Sequence, residues 1–140
     1  MKKSQTDAIS QFARNFVYKA DPKRLDKWII ITEVDKKGKY HGDCEDFALT
    51  ALYKASGENI FKFFWYLLTF QAMIWHVTTV NGGGHAVLSF RGKYLDNWTL
   101  EPVSKEEMIE KTGHTFKFPY VFPLFAIKML FGFIIHKLKK

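Results

Sequence analysis

The chain has 140 residues, of which 47% are hydrophobic and 25% charged, and this balance favours one folded domain with one core over a disordered segment. Its single cysteine excludes a disulfide framework within the chain and a zinc site built from several cysteines. The net charge of +7 is concentrated in residues 1–40 and 103–140. Such basic segments suit a phosphate-rich partner or simple solubility, and no nucleic-acid motif accompanies them.

A helix is predicted over residues 5–19, before Asp21-Pro22 ends it. Its apolar side chains recur at helical spacing: Ile9, Phe12, Ala13, Phe16 and Val17. The residues before it are polar and no secretory signal is visible, so a cytoplasmic location is expected. A lone thiol is consistent with such a reducing compartment.

The clearest helix prediction covers residues 44–56, where one apolar stripe contains Phe47, Ala48, Ala51, Leu52 and Ala55. Asp43 occupies the N-cap position, and Asp46 completes a capping-box-like pair three residues later. Gly57 is a natural residue for the position after the helix. Cys44 is therefore predicted to lie in the first turn of a helix.

Residues 59–73 are apolar on nearly every face, and this pattern favours a buried helix. A membrane-contacting helix is the second interpretation. The segment is short for a bilayer span and contains Lys62 and Gln71, which argue against full insertion.

Three strands are predicted next, over residues 75–80, 85–90 and 93–98. Arg91-Gly92 joins the last two into a hairpin. The glycine-rich loop at 81–84 matches no phosphate-binding fingerprint. Ser104 then caps a short helix that runs to Lys111.

The C-terminal segment, residues 116–140, is aromatic and basic. Its apolar part, residues 124–135, is too short to span a bilayer. A helix docked on the core and a helix lying in an anionic membrane interface are both open interpretations. We therefore divide the chain into a domain over residues 1–115 and a tail over residues 116–140.

Cys44 is a candidate nucleophile, because unpaired N–H groups and the dipole at a helix start stabilise a thiolate. The same N–H groups suit the oxyanion formed in acyl transfer. Asp43, Glu45 and Asp46 oppose thiolate formation by charge repulsion, so an active thiol needs them turned away, hydrogen-bonded or bound to a cation. A small buried side chain is the alternative interpretation of a free cysteine.

Hairpin geometry selects a base for this thiol from the five histidines. With a two-residue turn, Phe90 pairs with Lys93. His85 and Asp96 then become diagonal neighbours on one face, roughly 7 Å apart at the backbone. That separation allows the carboxylate–imidazole hydrogen bond of a nucleophile–base–orienter triad. A strand-end histidine and a turn aspartate are the alternative interpretation of the two residues.

Three segments together resemble the bacterial and phage transglutaminase-like cysteine peptidases: Gly42 to Ala48, His85 to Leu88, and Tyr94 to Asn97. The resemblance implies an α+β, papain-like fold. In that fold N-terminal helices, including the cysteine-bearing one, pack on a small antiparallel sheet that carries the histidine and aspartate. The aromatic, basic tail after residue 115 is expected to be helical and is not explained by the resemblance.

The resemblance also implies hydrolysis of a peptide or side-chain amide of a protein or peptide substrate through a thioester. Cys44, His85 and Asp96 match the family's triad one by one, and no cofactor is required. Asp43, Glu45 and Asp46 match positions at which some members bind calcium, and carboxylate oxygens suit that ion. Helix capping is the other explanation for these carboxylates.

Two further functions stay open at this point. The first is a catalytically inactive module on the same fold that binds a protein or contacts an anionic membrane through residues 116–140. The second is a deamidase or acyl transferase with the same triad, since every one of these reactions shares the acyl-enzyme step.

Overall fold

The computed structural model of the protein describes residues 2–19 and 30–119. These residues form four helices, which are α1 (Lys3–Arg14), α2 (Cys44–Ala55), α3 (Ile60–Leu68) and α4 (Lys105–Thr112). The six strands are β1 (Phe16–Tyr18), β2 (Tyr40–Gly42), β3 (Ala72–Thr78), β4 (Gly84–Phe90), β5 (Lys93–Leu95) and β6 (Thr115–Pro119).

The main sheet has four antiparallel strands in the order β5-β4-β3-β6. A short parallel pair, β1 with β2, lies outside it and brings the residues just before α2 beside the end of α1. The expected α+β fold, with a cysteine-bearing helix packed on a small antiparallel sheet, is confirmed.

The two faces of the main sheet pack against different partners because side chains alternate along each strand. Ala86 and Leu88 of β4 belong to the large core cluster, which also contains most of α2 and the apolar face of α1. Val87, between them, belongs to a smaller cluster with Met108 of α4. The sheet therefore separates α2 on one side from α4 on the other.

The first predicted helix is shorter than expected. It ends at Arg14, and Phe16–Tyr18 instead forms β1, which pairs with β2. Tertiary pairing overrides the helical spacing here, and Phe16 packs against the core cluster from an extended backbone.

The prediction of a buried helix at 59–73 is wrong in extent and in burial. Helix α3 ends at Leu68, and β3 begins at Ala72. Only Phe63 and Leu67 of α3 are buried, whereas Phe61 is 85% exposed and Trp65 is 60% exposed. An apolar sequence does not by itself bury a helix, because α3 packs against the core through the face that carries Phe63 and Leu67.

The hairpin matches its predicted register. Phe90 pairs with Lys93 and Leu88 with Leu95, and both turn residues, Arg91 and Gly92, have positive φ, as a type I′ hairpin turn requires. The second strand stops at Leu95 rather than at Trp98.

Residues 116–119 are part of β6 and pair with β3, although we assigned them to the tail. The rest of the tail, with the predicted helix at 124–135, lies outside the described residues. The division of the chain at residue 115 and the membrane contact of the tail stay predictions. No helix among residues 2–19 and 30–119 has the length and hydropathy to cross a membrane.

Candidate active site

Cys44 is the first residue of α2, and the helix start is fixed by a reciprocal cap. The Asp43 carboxylate accepts from the Asp46 backbone N–H at 2.9 Å, and the Asp46 carboxylate accepts from the Asp43 backbone N–H at 3.4 Å. The predicted capping box is confirmed, and it holds Asp43 and Asp46 in structural hydrogen bonds.

Gly42 leaves room for this cap. A Cβ atom added at Gly42 would lie 2.9 Å from the Cβ of Asp46 and 2.9 Å from Cδ1 of Ile31. Both distances are below normal contact, so a larger residue would displace the capping carboxylate. Side chains of the protein itself therefore occupy the space beside this glycine.

The Cys44 thiol donates to Oε2 of Glu45 at 3.2 Å. Burial raises the pKa of the Cys44 thiol well above its ordinary value, and the negative charge of Glu45 raises this pKa further. The Ala86 backbone N–H donates to the sulfur and acts in the opposite direction. Burial and the neighbouring Glu45 carboxylate thus both favour the protonated thiol.

The His85 ring and the Asp96 carboxylate form the other half of the candidate site. His85 Nε2 lies 2.9 Å from Asp96 Oδ2, and both side chains are buried. The contact is the one that the hairpin register predicts. Because Nε2 is engaged with Asp96, Nδ1 is the ring nitrogen left to exchange a proton with a nucleophile.

The Asp96 carboxylate accepts hydrogen bonds from several donors. Its Oδ1 accepts from the backbone N–H groups of Trp98 at 3.1 Å and Thr99 at 2.8 Å. Burial by itself disfavours the charge, but hydrogen bonds from His114 and His85 outweigh it and hold the pKa of Asp96 well below its ordinary value. The carboxylate is therefore ionised under any physiological condition.

His114 is a site residue that sequence reasoning missed. Its Nε2 lies 2.7 Å from Asp96 Oδ2, and its side chain is completely buried. His114 follows Gly113, the left-handed residue that ends α4, and precedes β6. No local pattern pairs it with Asp96, because the contact depends on β6 returning to β3.

The thiol and the imidazole approach from opposite faces of the sheet. Strand alternation places His85 on the Val87 face, whereas α2 packs on the Ala86 face. Strand β5 pairs only with residues 88–90, so the first half of β4 has no β5 partner. The Ala86 N–H lies in that half and donates to the Cys44 sulfur.

The Cys44 sulfur therefore contacts β4 at Ala86, the residue next to His85. This part of β4 has no β5 strand beside it. The hydrogen bonds of the sulfur go to Glu45 and to the Ala86 N–H, and neither reaches the His85 ring. The structure brings His85 and Asp96 into direct contact and leaves Cys44 beside them with its proton directed to Glu45.

Two other described histidines lie outside the group of His85, Asp96 and His114. His41 is on the surface, and its hydrogen bond lowers the pKa of Asp35 to about 2. His76 is in β3, where it pairs with Ala86 and stacks on Phe118. His76 is therefore the second histidine near the thiol's strand position.

Potential metal ligands converge at one place among residues 2–19 and 30–119. His85, Asp96 and His114 each offer a donor atom, and these atoms lie within 4.8 Å of one another. The three carboxylates that the resemblance links to calcium are used differently, since Asp43 and Asp46 cap α2 and Glu45 accepts from Cys44. Calcium binding by Asp43, Glu45 and Asp46 stays a prediction.

The fold is shared with solved structures of LapG from Legionella pneumophila. EGTA-treated LapG superposes with a TM-score of 0.58 at 20% sequence identity, over 84% of this chain and 62% of the LapG chain. Calcium-bound LapG gives a TM-score of 0.55 at 22% identity, over 82% of this chain and 61% of LapG. The protein has the LapG fold.

This likeness establishes a papain-type, transglutaminase-like fold. The aligned part covers less than two thirds of the LapG chain. No protein-family model matches the sequence, and no curated protein does.

Proposed function

We propose that the protein is a cysteine hydrolase that cleaves a peptide or side-chain amide bond through a thioester. Cys44 is the nucleophile, His85 the general base and acid, and Asp96 the residue that orients His85. The observation that carries this proposal is the buried hydrogen bond between His85 Nε2 and Asp96 Oδ2, at the strand position next to the thiol.

Asp96 performs two tasks in this proposal. As an ionised acceptor it fixes the tautomer and orientation of His85, so that Nε2 carries a proton and Nδ1 is free to accept one. It also stabilises the imidazolium that forms when His85 takes the proton of Cys44. Its depressed pKa keeps it from taking that proton itself.

The reaction then follows the chemistry of acyl transfer. His85 Nδ1 removes the Cys44 proton, and the sulfur attacks the amide carbon of the substrate. When the tetrahedral intermediate collapses, the C–N bond breaks and His85 returns its proton to the leaving amine. Water, deprotonated by His85, attacks the thioester, and Cys44 leaves with the proton restored.

The oxyanion of the intermediate lies near the start of α2. N–H groups in the first turn of a helix have no carbonyl partner within that helix, and Cys44 and Glu45 hold the first two such positions. Their orientation along the helix axis favours negative charge at this end.

Glu45 sets the condition for turnover. While its carboxylate accepts from the thiol, the thiol proton points away from His85 and the pKa of Cys44 is raised. Productive substrate binding therefore requires the Glu45 side chain to turn from the sulfur. A cation bound by Glu45 would have the same effect, and calcium is the cation that the sequence resemblance suggests.

Product analysis tests the reaction. The protein is incubated with unfolded casein and with a glutamine-containing peptide library, and the products are analysed by mass spectrometry. The proposal predicts new peptide termini, or released ammonia if side-chain amides are the substrate. Crosslinked products would instead support an acyl transferase with the same triad.

The matched controls are Cys44→Ala and His85→Gln, which remove the nucleophile and the base. Both variants are expected to give no product above background. Product formation that survives in Cys44→Ala would contradict the proposal. A wild-type protein that gives no product, with or without added calcium, would favour the inactive binding module.

A further inference from the structure

The Asp96 carboxylate has a donor that the triad does not use, the imidazole of His114. We propose that His114 is a positioning residue, which holds Asp96 in the orientation that His85 needs. This inference rests on the proposed function, because it assigns a role within the same site.

Every acceptor position of Asp96 is filled. Oδ1 accepts from two backbone N–H groups, those of Trp98 and Thr99, and Oδ2 accepts from the rings of His85 and His114. A carboxylate has about four lone-pair sites. His114 makes the shorter of the two ring contacts, 2.7 Å against 2.9 Å for His85.

The chemistry of Asp96 fixes the tautomer of His114. An ionised carboxylate only accepts, so the Nε2 of His114 must carry the proton that it donates. The Nδ1 of His114 is buried and has no hydrogen-bond partner among the described residues. Nε2 is therefore the ring nitrogen through which His114 contacts a polar partner among these residues, and it donates to Asp96.

This difference separates the roles of the two histidines. His85 is at the strand position beside the thiol and exchanges a proton with it in the proposed reaction, whereas His114 contacts the carboxylate that orients His85. The His114 side chain has Asp96 as its one hydrogen-bond partner in the described part of the chain. The buried contact of His114 with Asp96 therefore restrains the position of the Asp96 carboxylate.

Ring packing fixes the distances within this group. Trp98 contacts both histidines, with ring centroids 5.6 Å from His85 and 4.8 Å from His114. The two imidazoles are 5.0 Å apart. Without the His114 donor, Oδ2 would keep His85 as its one partner, and the carboxylate would be held by the two N–H groups on Oδ1 and by His85 alone. A small displacement of Oδ2 from its contact with His85 would then meet less resistance.

The inference can be tested by the rate at which iodoacetamide alkylates Cys44, the single cysteine of the chain. His114→Leu removes the donor and is expected to lower this rate by about ten- to a hundredfold, the value of a hydrogen bond to a charged group. His114→Gln supplies an amide N–H at the position of Nε2 and is expected to restore most of the rate.

A double-mutant cycle separates positioning from general damage. In an Asp96→Ala background, where His114 has no carboxylate to hold, His114→Leu is expected to change the alkylation rate by less than about twofold. Near-UV circular dichroism of each variant shows that it is folded. A folded His114→Leu protein with the wild-type rate, or a rate loss that persists unchanged in the Asp96→Ala background, would overturn the inference.

The failure of the proposed function would look different. In that case Cys44 would be alkylated at the same rate in the His85→Gln variant as in the wild-type protein. A rate that depends on His85 but not on His114 contradicts the positioning role alone.

Discussion

The two halves of the candidate site differ in how completely they are assembled. His85 and Asp96 are joined by a short, buried hydrogen bond, and Asp96 is satisfied on every side. Cys44 instead donates to Glu45, and burial together with the charge of Glu45 raises the pKa of its thiol. The base is prepared for its task, whereas the nucleophile is restrained.

This contrast indicates where the site is controlled. The histidine–aspartate half needs no rearrangement to accept a proton, because both groups already have the required orientation. The cysteine half needs one change, the departure of Glu45 from the sulfur. Substitutions on the two sides should therefore have opposite effects, with losses at Asp96 and gains at Glu45.

The largest expected effect follows substitution of Asp96. Asp96→Asn replaces an acceptor with an amide that also donates, so at least one neighbouring ring must change its tautomer. Turnover is expected to fall by about 10⁴-fold, as in other triads that lose the orienting carboxylate. Initial rates of amide hydrolysis measure this effect.

Glu101→Gln provides the control, because Glu101 follows Asp96 in the same loop but is exposed, and its carboxylate contacts Lys111. Its turnover is expected to match the wild type. Equal losses in the two variants would mean that the loop, rather than the buried carboxylate, determines the rate.

Asp96 should also link stability to pH. Its pKa is lower in the folded than in the unfolded protein, so the stabilisation is complete above the unfolded value of about 4 and is lost as pH falls below it. The stability difference between the wild type and Asp96→Asn should shrink by about 1 kcal/mol between pH 6 and pH 3. Urea unfolding at both pH values measures it, and a constant difference would mean that folding does not lower the pKa of Asp96.

A smaller, opposite effect is expected at the nucleophile. Glu45→Gln removes the negative charge beside Cys44, so the pKa of the thiol should fall and its alkylation at neutral pH should become about two- to fivefold faster. Glu58→Gln is the matched control at the other end of α2, where Glu58 pairs with Lys54. An alkylation rate that is unchanged in Glu45→Gln would mean that Glu45 does not restrain the thiol.

Local signals in the sequence predicted the parts of the site that depend on local geometry. The Asp43 cap places Cys44 at a helix start, and the Arg91-Gly92 turn sets the hairpin that aligns His85 with Asp96. Each of these features is determined within about a dozen residues of chain.

Features that depend on distant contacts were not predictable in this way. The environment of α3 depends on which neighbours it meets, so its apolar sequence did not reveal that Phe61 and Trp65 are exposed. The role of His114 depends on the pairing of β6 with β3. The Glu45 contact depends on a side-chain rotamer, which capping patterns do not specify.

The central claim is that His85 acts on Cys44 although no hydrogen bond joins them in this structure. The most direct test compares the alkylation rate of Cys44 in the wild type with the rates in His85→Gln and His76→Gln, two histidines on neighbouring strands. We expect the rate to fall by at least about tenfold in His85→Gln and to stay unchanged in His76→Gln. Equal rates in all three proteins, or a loss confined to His76→Gln, would contradict the assignment of His85 as the base.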